Sequence, residues 1–360
     1  MSNKKCVALV ELGNSHDECL FSQYYFLKEA DYKIHLIINE IPFRRIKGII
    51  DGESFFVIPQ KKNWLSSWIN LMRVNNYLIR RDIKTIIINT AQGNQVRNLT
   101  LLLSKKINIT GIMHNADKLN KSFTQKIISR KVKKYLVLND FVLREIQKSD
   151  IRMNLQSFYP IFYPQTIKKN GITKKGTDFR VCIPGNVEFK RRDYKGLIDE
   201  LSINKINDNI KFIILGNASK NDGKLLISEI MSRKLEKHFI FFKSFVPNYQ
   251  FFKTIQTSDL IMPLVHPDKP NFKYYNRFKI SGTYNLAFGF KIPMFVPRLF
   301  SLLDDFKEYA LFYDSDEMCA KLNSFADKPQ LIIEKKNKLE QSQKFSFGFQ
   351  KKRYVDFVEK

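Results

Sequence analysis

The sequence predicts an α/β protein of two tandem doubly wound domains, each an open parallel sheet with helices on both faces. Three observations carry this expectation. Short apolar runs alternate with longer amphipathic stretches along most of the chain, and a parallel sheet covered by helices satisfies such alternation best. The alternation breaks once, between Ser157 and Thr177, and then restarts. The length of 360 residues exceeds one ordinary core and suits two domains of roughly 150 to 180 residues.

In order, Cys6–Leu12 (CVALVEL) reads as a strand buried on both faces. A polar turn from Gly13 to Asp17 follows, then apolar residues at helical spacing from Leu20 to Leu27, and a strand at 33–38. Strands are predicted at 55–59, 85–89, 109–114 and 135–139, with helices at 64–81, 94–105, 123–132 and 141–148 between or after them. Pro160, Pro164 and the basic KKNGITKKGTD stretch mark a linker at 161–177, which separates a domain at 1–160 from one at 178–343. The second domain repeats the pattern, with strands at 179–183, 210–215, 238–242, 260–264 and 292–296 and a last short one at 312–313. Helices are expected at 194–201, 224–234, 249–257, 284–288, 317–325 and 329–343. Residues 344–360 form a basic, aromatic tail that is expected to pack back on the first domain. Two similar open sheets in tandem commonly hold a ligand in the cleft that they face, at the carboxyl ends of their strands.

Sixty-one Lys and Arg against 35 Asp and Glu give a net charge of +26, a field that favours anionic partners such as phosphorylated substrates, an acidic membrane face or nucleic acid. Abundant surface lysine from compositional bias would read the same. The 44% apolar content excludes wholesale disorder. No apolar run is long enough to span a bilayer, and the first residues pass directly into a strand, so a cytoplasmic protein is expected. Cys6, Cys19, Cys182 and Cys319 lie far apart without a neighbouring His, which suggests neither zinc nor a disulfide framework.

The stretch YYNRFKISGTYNLAFGFKIPMFV, Tyr274–Val296, changes character in an order that suits an anion. Cations at Lys273, Arg277 and Lys279 lead into Ser281-Gly282-Thr283, then into an apolar helix expected to close at Gly289. Ser281 as a cap, the unshielded N–H groups at Gly282 and the helix dipole would all draw in a phosphate. An ordinary capped helix would look alike.

Four segments in order then carry a resemblance: VCIPGNVEFKRRDYKGLI (181–198), FIILGN (212–217), FKSFVPNYQFFKTIQTSDLIMPL (242–264) and NLAFGFKIPMFV within the stretch above. Together they resemble the C-terminal, donor-binding domain of the GT-B glycosyltransferases, which use nucleotide sugars and are built from two Rossmann-like domains facing a cleft. The resemblance covers the second half; the first half matches in pattern only. It implies that the donor diphosphate lies at Gly185 and Asn186 with Lys190 or Arg191, and at Lys279, Ser281, Gly282 and Thr283, with the base beside Phe245 and Val246. Fixed N–H groups and cations would neutralise the leaving diphosphate, so no bound cofactor or essential metal is expected. Many retaining members carry two glutamates eight residues apart here, whereas this chain has approximately Asn276 and Tyr284. The ribose contact then falls to Tyr284 or Asn285, Tyr275 lies against the donor or in the core, and the stereochemical outcome does not carry over.

A base for an acceptor hydroxyl is expected on loops of the first domain. His114, which ends the apolar run ITGIM, and Glu11, His16, Asp17 and Glu18, around the loop after the first strand, are the candidates, with His114 first and His16 or Asp17 next; plain surface or capping roles suit the histidines too. The helix 61–81 holds Trp64 and Trp68 between cations and reads equally as an interfacial membrane helix or a packed crossover. The expectation is a transferase moving a sugar from a nucleotide-diphosphate donor to a cell-surface glycan or lipid-linked saccharide, cytoplasmic, with peripheral contact to the inner membrane face as an open addition. A sugar-nucleotide epimerase, a nucleic-acid-binding protein and a non-catalytic sugar-nucleotide sensor are the rivals. No zinc-finger, RNA-recognition or basic-zipper pattern favours nucleic acid.

Overall fold

The computed structural model of the protein describes residues 4–50, 54–61, 63–149, 151–164 and 176–360. Its backbone groups into two compact units, Met1–Pro164 with Ser346–Lys360, and Gln165–Phe345.

In the first unit the described residues form one parallel sheet from β1 (Cys6–Glu11), β2 (Lys33–Asn39), β3 (Ser54–Ile58), β4 (Thr85–Ile88), β5 (Asn108–Met113), β6 (Lys134–Val137) and β7 (Asn154–Ser157). Their order is β3-β2-β1-β4-β5-β6-β7. The most apolar strand is central, and Val7, Ala8, Leu9 and Val10 retain no exposed surface, as a strand covered on both faces must. The helices are α1 (Glu18–Glu29), α2 (Glu40–Ile46), α3 (Trp64–Arg80), α4 (Asn94–Leu102), α5 (Lys118–Lys121), α6 (Phe123–Lys131) and α7 (Asp140–Gln147). Three of these elements go beyond the sequence-based expectation, α2, the single-turn α5 and β7. The short α2 forms because Asn39 caps it, accepting from Ile41 N at 3.0 Å, and β7 is a half-exposed edge strand with no apolar run to announce it.

This unit continues past the expected boundary at 160 because Tyr159, Ile161 and Tyr163 are buried in its core. Most of the expected linker, 165–175, lies outside the described residues. The terminal stretch is a helix, Phe347–Glu359, within the first unit. Tyr354 is wholly buried, packs on Phe26 and Phe158, and donates to Gln23 Oε1 at 3.1 Å. Gln350 Oε1 accepts from Tyr159 N at 3.0 Å.

The second unit has β8 (Phe179–Pro184), β9 (Ile210–Asn217), β10 (Phe239–Phe242) and β11 (Leu260–Ile261) in parallel order β10-β9-β8-β11. A parallel pair, β12 (Phe295–Pro297) and β13 (Leu311–Tyr313), joins through a bridge from Ile261 to Met294. The helices are α8 (Tyr194–Ile203), α9 (Asp222–Ser232), α10 (Asn248–Gln256), α11 (Phe272–Tyr275), α12 (Gly282–Phe290), α13 (Asp304–Tyr309), α14 (Met318–Asp327) and α15 (Gln330–Gln341). Gly289 does not close α12, contrary to expectation. It is buried inside the helix, and Lys291 ends the helix in a left-handed conformation at φ 58°, with Ile292 N donating to Ala287 O at 3.0 Å. Cys19, Cys182 and Cys319 are buried free thiols.

In both sheets the chain reverses its direction of travel next to the first strand, between β1 and β4 and between β8 and β11. At such a switch point the loops at the carboxyl ends diverge and leave a crevice. The candidate residues gather at these two places.

Candidate functional site

In the first unit, the loops after β1, β4 and β5 converge. Glu11, at the end of β1, has no exposed surface, and its carboxylate accepts from Gly13 N, Asn89 Nδ2 and Thr90 Oγ1, each at 2.6 Å. Burial raises the pKa of Glu11 even though these donors oppose the shift. The carboxylate thereby clamps the β1 loop onto the end of β4. Asn89 extends the clamp by donating to His16 O at 2.9 Å, and Gln23 Nε2 donates to Asn89 Oδ1 at 2.6 Å.

His16 is held at φ 70°, a left-handed conformation that a non-glycine residue keeps only where its surroundings enforce it. The strain places its ring face to face with His114, the centroids 3.8 Å apart and the planes 28° from parallel. His114 Nε2–H donates to Asn89 O at 2.8 Å, which leaves Nδ1 as the acceptor; His16 Nδ1–H faces Glu18 Oε1 at 3.4 Å, which leaves Nε2 as its acceptor. Burial alone would lower the pKa of His16, but the Glu18 hydrogen bond and the charges of Glu18, Glu11 and Asp17 outweigh it and raise the pKa above its ordinary value. Burial drives His114 down to about 3, and the positive charge on His16 adds to the fall. Burial works against ionised Glu18 as well, yet His16 holds that carboxyl below its ordinary value. The two stacked rings are therefore shifted in opposite directions, His16 up and His114 down. Asp17 is raised to about 6 by burial and by Glu18, while its 2.7 Å ion pair with Arg45 pulls the other way. Asp17 thus serves the loop as a salt-bridged anchor, and of the two imidazoles His16 is the one whose pKa favours taking up a proton.

In the second unit, three contacts bring the loop after β8 against the segment 271–284. Thr283 Oγ1 donates to Pro184 O at 3.3 Å, Asn271 Nδ2 donates to Lys190 O at 3.4 Å, and the Arg191 guanidinium lies 5.4 Å from the Tyr275 ring centroid. Gly185 turns at φ 106°, and Gly216 lies so close beneath it that a Cβ there would meet Gly185 O at 2.1 Å. Asn186 and Lys190 are exposed on this loop, and Gly282 is exposed at the first turn of α12 with open space beside it. Lys279 lies 5.4 Å from the Tyr274 ring, on the same segment. Phe245 is exposed and Val246 buried, on the loop after β10.

Three expected details change. Ser281 stands at the helix N-cap, but its hydroxyl makes no cap bond, and the side chain is buried. Thr283 is likewise buried, so its hydroxyl braces the β8 loop. Tyr284 has no exposed surface, because its ring packs edge-on against Phe306 and Phe300, so its hydroxyl is not presented for a ribose. What remains of the expected anion site is the backbone of Gly282 and Thr283 with the cations around it.

Arg192, which the sequence offers with Arg191 only as part of a basic loop that would be solvated, is not on the surface. It is buried, its Nη1 and Nη2 donate to Pro263 O at 2.7 Å and Pro184 O at 2.5 Å, and among the described residues no carboxylate pairs with it. It joins the ends of β11 and β8 and puts an uncompensated charge beneath Gly185, where a Cβ would lie 2.7 Å from Nη2. Burying an ion that only backbone carbonyls pair is costly, which singles this position out within the unit. The only hint in the sequence is the second arginine of KRRD standing directly before Asp193, the N-cap of α8. Glu11 carried a clearer signal, a carboxylate at the end of a wholly apolar strand.

No protein-family model matches the chain, and no curated protein matches it by sequence. Solved structures do match it over both units. A glycosyltransferase from Rickettsia africae is 12% identical, with 99% of this chain and 98% of that one covered and a TM-score of 0.68. Anabaena HepE, solved with UDP-glucose, is 13% identical over 98% and 99% at 0.66. The UDP-GlcNAc 2-epimerase of Methanocaldococcus jannaschii is 11% identical over 98% and 99% at 0.57. With two parallel α/β units and this likeness along the whole chain, the protein has the GT-B fold.

Proposed function

We propose that this chain is a glycosyltransferase, a hexosyl- or related transferase, that moves a sugar from a nucleotide-diphosphate donor to a cell-surface glycan or lipid-linked saccharide. The observation that carries the reading is the buried Arg192, without a carboxylate partner among the described residues, beneath the Gly185 turn and beside the first turn of α12. A nucleoside diphosphate supplies the missing negative charge, with exposed Lys190 and half-buried Arg191 and Lys279 at its edge and Phe245 near the base. Anabaena HepE, of the same fold, was solved with UDP-glucose, which supports a nucleotide-sugar donor.

In the transfer, an acceptor hydroxyl oxygen bonds to the anomeric carbon as the bond from that carbon to the diphosphate oxygen breaks. The electron pair leaves with the nucleoside diphosphate, where Arg192 and the α12 N–H groups stabilise it. The hydroxyl proton passes to His16 Nε2 in its neutral form, and His114 holds the ring in place. The donor half of this scheme uses fixed cations and N–H groups and needs no metal.

The test is a thermal-shift panel of nucleoside diphosphates and their sugars, followed by nucleotide-release assays with saccharide acceptors. Stabilisation by one nucleotide series and acceptor-dependent release support transfer; no stabilisation by any member refutes it. A sugar-nucleotide epimerase is the second reading, motivated by the paired imidazoles and the fold shared with the archaeal 2-epimerase. Conversion of the donor to its epimer with no acceptor present would establish it instead.

A further inference from the structure

In the first unit, α3, α4 and α6 pack side by side, and together they present a surface that the sugar chemistry does not use. On α3 the buried residues are Asn70, Leu71, Val74 and Leu78. The opposite side carries Leu65, Ile69, Met72 and Ile79, all exposed, which fall within roughly an 80° arc at 100° per residue. Trp64 is three-quarters exposed at the helix start, and Leu101 on α4 and Phe123 on α6 are exposed as well. Exposed large apolar residues at this density mark a binding surface.

The charge around them is one-sided. Residues 55–134 contain sixteen Lys and Arg and two carboxylates, Asp82 and Asp117, and none of the three helices contains Asp or Glu. Exposed Lys61, Arg73, Arg80 and Arg81 border the α3 stripe, and Lys105, Lys106, Lys126 and Arg130 belong to α4, α6 and their flanks. A second copy of the same face would meet repulsion. Nucleic acid would neutralise the cations but leave the aliphatic stripe without a partner, since its grooves and backbone offer polar groups. An acidic bilayer satisfies both halves, with aliphatic side chains in the acyl boundary, indoles at headgroup depth and cations against the lipid phosphates. No helix among the described residues is long and apolar enough to cross a membrane.

We infer that the α3–α4–α6 face docks this protein on an anionic phospholipid surface. The inference is independent of the transferase reading. It has a built-in reporter, because Trp64 and Trp68, both on α3, are the two tryptophans of the whole chain. Titrating the full chain with vesicles of phosphatidylcholine and phosphatidylglycerol should shift the tryptophan emission to the blue and sediment the protein with the vesicles. Pure phosphatidylcholine should bind at least about tenfold more weakly, given roughly a fivefold gain per cation at an acidic surface. Ile69→Glu with Met72→Glu should abolish the shift while leaving thermal unfolding unchanged, since both side chains are exposed, and Arg73→Glu with Arg80→Glu should lower partitioning about tenfold or more. No blue shift on anionic vesicles, or equal binding to neutral ones, overturns the inference. So do quenching by tRNA or duplex DNA that outcompetes vesicles, and a concentration-dependent dimer that Ile69→Glu dissociates.

Discussion

Arg192→Met isolates the charge beneath the donor loop. Methionine keeps the apolar stem and loses the guanidinium and its charge. In the free protein the change removes two charge-assisted hydrogen bonds, to Pro184 O and Pro263 O, each worth about 1.5–3 kcal/mol. It also removes a buried, unpaired ion whose desolvation costs several kcal/mol, so the two effects oppose each other and the melting temperature should move little. With nucleoside diphosphate the balance differs. Wild type at 100 times its dissociation constant gains about 2.7 kcal/mol, which for a unit of this size is about 5–11 °C. Loss of a buried charge facing the diphosphate costs about 2–5 kcal/mol; at 2.7 kcal/mol the dissociation constant rises about a hundredfold. At the same ligand concentration the residual gain is about 0.4 kcal/mol, or about 1 °C. Differential scanning fluorimetry with and without nucleotide reads both numbers. Arg192→Lys should retain part of the shift. If Arg192→Met unfolds cooperatively and still shows the full nucleotide shift, the anion does not bind above this guanidinium, and the donor site has been misassigned.

Three further outcomes are expected. His16→Ala should cut transfer by about 10²- to 10⁴-fold with the nucleotide thermal shift intact, and the wild-type rate should rise with pH through a midpoint above the ordinary histidine value, because the raised pKa of His16 must be exceeded before it accepts a proton. Glu18→Gln removes the negative charge that raises it while keeping an acceptor oxygen, and should move that midpoint down; an unmoved midpoint would exclude His16 as the base. Gly216→Ala places a Cβ 2.1 Å from Gly185 O, so the β8 loop must shift, and nucleotide binding should weaken by at least about tenfold, a loss of about 1.4 kcal/mol, while the isosteric test on an open position, Gly282→Ala, leaves the fold stable. Ending the chain at Phe345 strips Tyr354 and Gln350 from the first unit and uncovers Phe26 and Phe158; losing one such ring costs about 3–5 kcal/mol, so that unit should unfold or aggregate, as circular dichroism and size-exclusion chromatography would show.

The sequence by itself determined the strand and helix alternation, the division into two α/β units and the positions of the β8 loop and α12, because each rests on local periodicity, glycine placement and turn chemistry. The switch points were legible in principle, since the most apolar strand of each half had to be central. The meeting of His16 with His114 was not legible. Those residues lie on loops after β1 and β5, and only the insertion of β4 between these strands, with Glu11 and Asn89 tying the loops together, stacks the rings. Nor could spacing tell that Arg192 is buried beside exposed Lys190, or that Ser281, Thr283 and Tyr284 turn inward while the backbone of Gly282 faces out. A side chain's periodicity names its helix face, but what covers that face depends on partners distant in the chain. The terminal helix shows the same limit, since its aromatic residues promised only a place to pack, and the first unit's core supplied it.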